Sequence, residues 1–120
     1  MGKKILFVDD ETDLLKVSSF RLRKTGYEVL GAANGQEALD LARRSMPDLI
    51  FLDVYLPLLN GDEVAQILKK DKKTKLIPII LISADTMTLE ARSRRCWADG
   101  YLAKAFASGE LVAMVRKHIG

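Results

Sequence analysis

The chain has 120 residues, of which 48% are hydrophobic and 29% charged, and its formal net charge is +3 at pH 7. This composition excludes a disordered or fibrous chain, and the length suits one domain with a single core, which we take to span residues 1–120. No apolar run approaches the roughly 18 residues of a membrane helix, and the single Cys96 excludes an internal disulfide. We therefore expect a cytoplasmic protein that does not enter a membrane.

Five short apolar runs have the composition of β-strands. Continuous apolar runs without polar alternation are typical of parallel strands that are buried on both faces of a sheet. In chain order the runs cover residues 5–8, 27–30, 48–52, 79–82 and 101–103.

A helix pattern with apolar residues three and four positions apart follows each of these runs. The first pattern ends near Gly26, and the fourth, over residues 87–96, is only weakly amphipathic. The last begins after Ser108, which we expect to be its N-cap. The expected core-facing residues are Leu14, Val17 and Leu22 in the first helix, Ala38, Leu41 and Ala42 in the second, Val64, Ile67 and Leu68 in the third, and Leu111, Val112, Val115 and Ile119 in the last.

Five strand-then-helix units predict an α/β fold, with a doubly wound, five-stranded parallel sheet covered by helices on both faces. A closed eight-stranded barrel needs roughly twice this length. In open sheets of this kind, ligands bind at the carboxyl ends of the strands, where the strand order reverses. We therefore expect a functional site at that edge.

Polar side chains stand at the carboxyl ends of four of the five predicted strands. Asp9 and Asp10 follow the first strand, Asp53 the third, Ser83 the fourth and Lys104 the fifth. Three neighbouring carboxylates need a cation to stay ionised, and an all-oxygen site with few protein ligands suits Mg²⁺. The hydroxyl and the ammonium are groups that a transferring phosphoryl group requires. One carboxylate is then available as a nucleophile that forms an aspartyl phosphate.

Each of these residues also has a structural interpretation. In this interpretation the aspartate pair caps the following helix, Asp53 and Ser83 are ordinary turn residues, and Lys104 is an ordinary surface lysine. Four such coincidences at four strand ends favour the site over the separate structural roles.

These residues resemble the receiver domain of two-component response regulators over essentially the whole chain. The resemblance is carried by Val8-Asp9-Asp10-Glu11, residues 53–61, Ser83-Ala84 and residues 99–104. It implies a flavodoxin-like (βα)5 sheet with strand order 2-1-3-4-5. It also implies that Asp53 is the phosphoacceptor and that Ser83 and Lys104 contact the phosphoryl group. The implied Mg²⁺ site is formed by Asp10 and Asp53 directly, by Asp9 through water, and by the backbone carbonyl of Tyr55.

The resemblance further implies a switch and not an enzyme. Ser83 and Tyr101 would change position on phosphorylation, which alters partner binding through the face of helix 4, strand 5 and helix 5. The implied phosphodonor is a sensor histidine kinase or a phosphotransfer protein. The downstream partner, the pathway and the choice between a stand-alone protein and part of a longer regulator stay open. We expect a monomer or a weak dimer.

The sequence departs from the family pattern in ways that lead to specific predictions. Where the family usually has proline after the lysine, this chain has Ala105, so we expect either a trans bond with a shifted loop or a strained cis bond. Tyr55, two residues after the acceptor, is predicted to slow hydrolysis of the phosphoryl group together with Asp85. Trp97 is either exposed at a partner surface or packed.

The sequence is also compatible with functions other than a phosphorylation switch. A degenerate receiver that acts as a constitutive interaction domain is the main alternative, because of Ala105. A metal-dependent aspartyl phosphatase requires a second aspartate two residues after the nucleophile, where Tyr55 stands. The lysine-rich run over residues 69–75 lacks interleaved aromatic residues, so we interpret it as a solvated surface and expect no direct nucleic acid binding.

Overall fold

A parallel five-stranded sheet forms the centre of the structure, a computed structural model that describes residues 2–120. Its strands are β1 (Lys4–Val8), β2 (Glu28–Ala32), β3 (Leu49–Asp53), β4 (Ile79–Ser83) and β5 (Gly100–Ala103). They lie in the order β2-β1-β3-β4-β5, and every neighbouring pair is parallel. The predicted fold class and strand order are confirmed.

The three inner strands are continuous apolar runs because helices cover both faces of the sheet. All residues of β3 and β4 are buried, as are the last four of β1. The edge strand β2 begins and ends later than predicted, since its Gly31 and Ala32 pair with Phe7 and Val8 of β1. Backbone pairing therefore extends this strand past the point where its apolar character ends.

The helices divide between the two faces of the sheet. They are α1 (Thr12–Lys24), α2 (Gly35–Ser45), α3 (Gly61–Lys70), α4 (Leu89–Arg95) and α5 (Ser108–Ile119). Buried side chains of α2, α3 and α4 pack in one apolar cluster, and those of α1 and α5 pack in a second cluster on the opposite face. None of the helices described within residues 2–120 combines the length and the apolar character that crossing a membrane requires.

The prediction that Val17 faces the core is wrong. Its side chain is 46% exposed, and the buried residues of α1 are Ser18, Ser19 and Leu22. The buried face of the helix thus includes two small hydroxyl residues, which an apolar pattern does not reveal. On α3, Ile67 likewise lies at the rim of the buried face and is 36% exposed.

The prediction that Ser108 caps the last helix is also wrong. Helix α5 begins at Ser108, and Ala107 occupies the N-cap position. The backbone N–H of Ala107 donates to Oε1 of Glu110 at 2.9 Å. The glutamate side chain therefore accepts a hydrogen bond from the N-cap backbone at the start of the helix.

Candidate functional site

Three carboxylates meet at the carboxyl edge of the sheet. Asp9 follows β1 and Asp53 is the last residue of β3, and because Val8 pairs with Leu52 in the register of these neighbouring strands, the two aspartates lie side by side. One ligand oxygen each from Asp9, Asp10 and Asp53 falls within 4.8 Å of the others. The predicted acidic cluster is therefore present, with two of its members buried and Asp10 exposed.

Gly61 allows the chain to turn sharply beside the acidic cluster. Its N–H donates to the carbonyl of Val54 at 2.7 Å, and a Cβ at this position would overlap the backbone carbonyl oxygen of Asp53. Only glycine lets α3 begin this close to the end of β3.

Lys104 supplies a cation to the acidic cluster. Its Nζ donates to Oδ2 of Asp53 at 2.8 Å and to Oδ1 of Asp9 at 3.3 Å, and it also contacts Glu11. The loop after β5 is aligned by the backbone N–H of Lys104, which donates to the carbonyl of Ser83 at 2.9 Å. The sequence indicated the lysine but gave no role to Glu11.

The acidic cluster holds more negative charge than one lysine neutralises. Burial raises the pKa of Asp53 to about 6, even though hydrogen bonding from Lys104 acts in the opposite direction. Burial also raises the pKa of Asp9. Although burial alone would lower it, the pKa of Lys104 is raised by its hydrogen bonds to Asp53 and Glu11. The lysine thus stays charged, while Asp9 and Asp53 retain protons more readily than usual.

Among the described residues, one buried carboxylate oxygen of the acidic cluster has no hydrogen-bond partner. Oδ2 of Asp9 is buried and, within residues 2–120, accepts no hydrogen bond, although Nζ of Lys104 lies 3.3 Å away. A buried carboxylate oxygen without a donor beside two further carboxylates fits a divalent cation. The all-oxygen donor set suits Mg²⁺.

The acidic cluster opens into a cleft of about 420 Å³. Ser83 lies in its wall, 1% exposed, and its Oγ accepts a hydrogen bond from the N–H of Asp85 at 3.0 Å. The cleft is lined by Asp10, Glu11, Asp53, Tyr55, Ser83, Ala84, Asp85 and Lys104.

Tyr55 and Asp85 lie together at the mouth of this cleft. The hydroxyl of Tyr55 donates to Oδ2 of Asp85 at 3.0 Å. Hydrogen bonds from Thr88 and Tyr55 lower the pKa of Asp85. The structure thus brings together the two residues for which a role in hydrolysis was predicted, and their effect on hydrolysis stays a prediction.

The loop after Lys104 adopts the trans alternative. Within residues 2–120 the structure has no cis peptide bond, and Ala105 has a φ of 67°, in the left-handed region that costs a non-glycine residue about 1–2 kcal/mol. This backbone keeps Lys104 in the acidic cluster without proline.

The other two aromatic residues singled out from the sequence are exposed. Tyr101, on β5, is 43% exposed, and its role in switching stays a prediction. Trp97 is 54% exposed, which settles the alternatives in favour of a surface residue, and Nζ of Lys70 lies 5.7 Å from its ring centroid.

The family model of the response regulator receiver domain matches residues 5–116. With the five-stranded sheet and the acidic cluster described above, this match shows that the chain belongs to the response regulator receiver domain family. Receiver domains are signalling switches of two-component systems.

Two curated relatives differ in how much of them the chain covers. The chain is 39% identical over 117 residues to the alkaline phosphatase synthesis transcriptional regulatory protein PhoP of Bacillus subtilis, covering 97% of this chain and 48% of that protein. It is 34% identical over 121 residues to the polar-differentiation response regulator DivK of Brucella anthropi, covering 100% of this chain and 98% of that protein. The chain thus spans about half of PhoP and nearly all of DivK.

A solved structure that is similar to the chain over its whole length contains a metal ion. The receiver domain of the sensor histidine kinase PA1611 from Pseudomonas aeruginosa is 31% identical, with a TM-score of 0.88 over 100% of this chain and 99% of that chain. That structure has a magnesium ion coordinated in its active site cleft.

Proposed function

We propose that residues 1–120 form a phosphorylation-dependent switch of a two-component phosphorelay, in which Asp53 accepts a phosphoryl group. The observation that carries this proposal is the environment of Asp53, which is 2% exposed, has a carboxylate oxygen within 4.8 Å of those of the other two aspartates, and accepts a hydrogen bond from Lys104 at 2.8 Å. The phosphodonor is a sensor histidine kinase or a phosphotransfer protein. The output is a change of partner binding and not turnover of a substrate.

The reaction is an in-line transfer to a carboxylate oxygen. An oxygen of ionised Asp53 attacks phosphorus, the P–N bond to the donor imidazole breaks, and its electron pair returns to the imidazole nitrogen. Lys104 pairs with one phosphoryl oxygen, and the hydroxyl of Ser83 donates to another. Asp9, Asp10, Asp53 and the backbone carbonyl of Tyr55 would hold Mg²⁺, which neutralises the charge that gathers on the phosphoryl oxygens.

The switch is proposed to start at Ser83. Its hydroxyl lies next to the cleft, and Ser83 pairs with Ala103 of β5, two residues from Tyr101. Movement of Ser83 toward a phosphoryl oxygen would make room for the exposed Tyr101 ring to turn inward. The face formed by α4, β5 and α5 would then change its partner preference.

Tyr55 and Asp85 are proposed to slow hydrolysis of the aspartyl phosphate. Both line the cleft, and the Tyr55 hydroxyl donates to Asp85 at 3.0 Å, which supports a role of the ring in limiting the approach of water to the phosphoryl group. The ring excludes water, while the carboxylate keeps the ring in place.

We further propose that the protein acts in the cytoplasm as a monomer or a weak dimer. It would bind neither nucleic acid nor membrane directly. The chain spans about half of PhoP, whose name describes a transcriptional regulator. If the chain is likewise part of a longer regulator, the switch would control an output domain of the same protein.

Incubation with acetyl phosphate and Mg²⁺ tests the proposed phosphorylation. The expected result is a mass gain of about 80 Da, which is abolished by EDTA and by the substitution Asp53→Asn. Asp48→Asn is a matched control, because Asp48 lies at the opposite end of β3 and caps the N–H of Lys4 at 2.7 Å. An intact protein that gains no mass would instead support a constitutive interaction domain.

A further inference from the structure

Arg92 on helix α4 joins three elements around the mouth of the cleft. Its Nε donates to Oγ1 of Thr88 at 3.0 Å, one terminal nitrogen donates to Oδ2 of Asp62 at 2.9 Å, and the other donates to the hydroxyl of Tyr55 at 3.0 Å. Its guanidinium carbon lies 5.1 Å from the centroid of the Tyr55 ring. One side chain of α4 thus holds the loop after β3, the first turn of α3 and the loop after β4.

These contacts close a ring of hydrogen bonds. Arg92 donates to both Thr88 and Tyr55, and the hydroxyls of these two residues both donate to Oδ2 of Asp85, at 2.8 and 3.0 Å. Tyr55 and Asp85 line the cleft, whereas Arg92 does not. The arginine therefore reaches the phosphorylation site only through its neighbours.

The Tyr55 ring depends on this arrangement because it lacks a packed environment. Its side chain is 46% exposed, and exposed side chains change rotamer within nanoseconds unless they are held. A guanidinium stacked on the ring, together with two hydrogen bonds at the hydroxyl, restricts that motion. Without the guanidinium, the Tyr55 hydroxyl would keep only one of these two hydrogen bonds, the one to Asp85.

Asp62 fixes the arginine itself. The ion pair at 2.9 Å is partly buried, with side chains 27% exposed for Arg92 and 23% for Asp62. Asp62 belongs to the first turn of α3, whose start is aligned on the end of β3 through Gly61. The planar guanidinium serves this carboxylate and the tyrosine through different nitrogens while it lies against the tyrosine ring, and the compact ammonium of lysine does not combine these contacts in one plane.

We propose that Arg92 is a positioning residue that holds Tyr55 and Asp85 together across the mouth of the cleft and thereby prolongs the lifetime of the phosphoryl group on Asp53. This inference rests on the proposed function, since a lifetime exists only if Asp53 is phosphorylated. Arg92 acts through Tyr55, and it makes no contact with the acidic cluster.

The decay of the phosphorylated protein tests the inference. The protein is phosphorylated with acetyl phosphate and Mg²⁺, the phosphodonor is removed by desalting, and the species heavier by about 80 Da is followed by mass spectrometry. We expect Arg92→Gln to shorten the lifetime about threefold to tenfold, which is the effect of losing one net hydrogen bond. Arg94→Gln is the matched control, because Arg94 lies on the same helix, is 77% exposed and pairs with Glu90. It should leave the lifetime unchanged.

A double mutant separates positioning from a general structural effect. In a Tyr55→Ala background, Arg92→Gln should change the lifetime by less than about twofold, because the tyrosine through which Arg92 acts is already absent. The ring resonances of Tyr55 in NMR spectra should move toward those of a solvated tyrosine in Arg92→Gln and stay in place in Arg94→Gln. This second readout requires no phosphorylation.

The outcomes separate the two proposals. If the wild-type protein never gains mass, the proposed function fails, and unchanged Tyr55 resonances in Arg92→Gln would overturn the positioning claim independently. If phosphorylation occurs but Arg92→Gln decays like the wild type, only the inference on Arg92 is wrong. An equally large effect of Arg92→Gln in the Tyr55→Ala background would also overturn it.

Discussion

Nζ of Lys104 and Oδ2 of Asp53 lie 2.8 Å apart, although their strands β5 and β3 are separated by β4. The lysine side chain therefore reaches over the end of a buried strand to pair with the proposed phosphoacceptor. The acidic cluster thus takes its cation from the end of a strand two places away in the sheet.

Replacing Asp53 should stabilise the metal-free protein near neutral pH. Burial raises the pKa of Asp53 from 3.8 to about 6, so between these values the folded state binds a proton that the unfolded state has released. The contribution of this group to stability therefore falls as the pH rises through that range. We expect Asp53→Asn to be more stable than the wild type by about 1–3 kcal/mol near pH 7, with no difference below about pH 4.

Urea unfolding in EDTA across this pH range measures the difference. Asp40→Asn is the control, since Asp40 is exposed on α2, and its effect should not follow the same pH dependence. A less stable Asp53→Asn near neutral pH would show that pairing with Lys104 outweighs the burial of the carboxylate.

Mg²⁺ should stabilise the folded protein through the acidic cluster. A ligand at a hundred times its dissociation constant adds about 2.7 kcal/mol when it binds only the folded state. Thermal unfolding with and without Mg²⁺ is the measurement. We expect Asp10→Asn to weaken the effect and Asp13→Asn, on the exposed first turn of α1, to leave it unchanged. Equal stabilisation of both variants would argue against a site at this cluster.

Ala105→Gly should stabilise the fold. Ala105 has a φ of 67°, which glycine adopts without a steric penalty, so relief of this strain is expected to add about 1 kcal/mol to the free energy of unfolding. Ala103→Gly in β5 should instead destabilise the protein by about 0.5–1 kcal/mol, because its backbone is an ordinary strand. Urea unfolding of both variants gives the comparison. The prediction fails if the two substitutions act in the same direction.

Tyr55→Phe and Tyr55→Ala should separate the two ways in which the tyrosine protects the aspartyl phosphate. Phenylalanine keeps the ring over the cleft but loses the hydroxyl that bonds to Asp85 and Arg92. We expect an intermediate lifetime for Tyr55→Phe and the shortest one for Tyr55→Ala, measured by the loss of the phosphoryl mass. An unchanged lifetime in Tyr55→Ala would show that the ring does not exclude water.

The sheet could be predicted from the sequence because its inner strands are buried on both faces. Runs such as Ile79–Ser83 then contain little besides apolar residues, and polar residues mark their ends. In a parallel sheet all of these ends lie on one edge, and the strand order that the resemblance implies makes β1 and β3 neighbours, which brings Asp9 and Asp53 together.

The contacts around this cluster could not be predicted in the same way. Arg92 and Tyr55 are 37 residues apart, and Lys104 and Glu11 are 93 apart, without a periodic pattern that connects them. Ser18 and Ser19 are buried on α1 although their polarity suggests the opposite. Side-chain packing, and not local propensity, decides these positions.

The proposed phosphoryl-binding lysine belongs to the edge of the sheet, where β5 has only β4 as a neighbour. Edge strands separate from a sheet more readily than its centre, since breaking one ladder is enough, so amide hydrogen exchange should be faster in β5 than in β3. Each local opening of β5 would carry Lys104 away from carboxylates that stay fixed on the inner strands. Brief fraying of this edge would therefore leave the acidic cluster without its internal cation, and Asp9, Asp10 and Asp53 would then be able to hold a divalent ion without competition from the lysine.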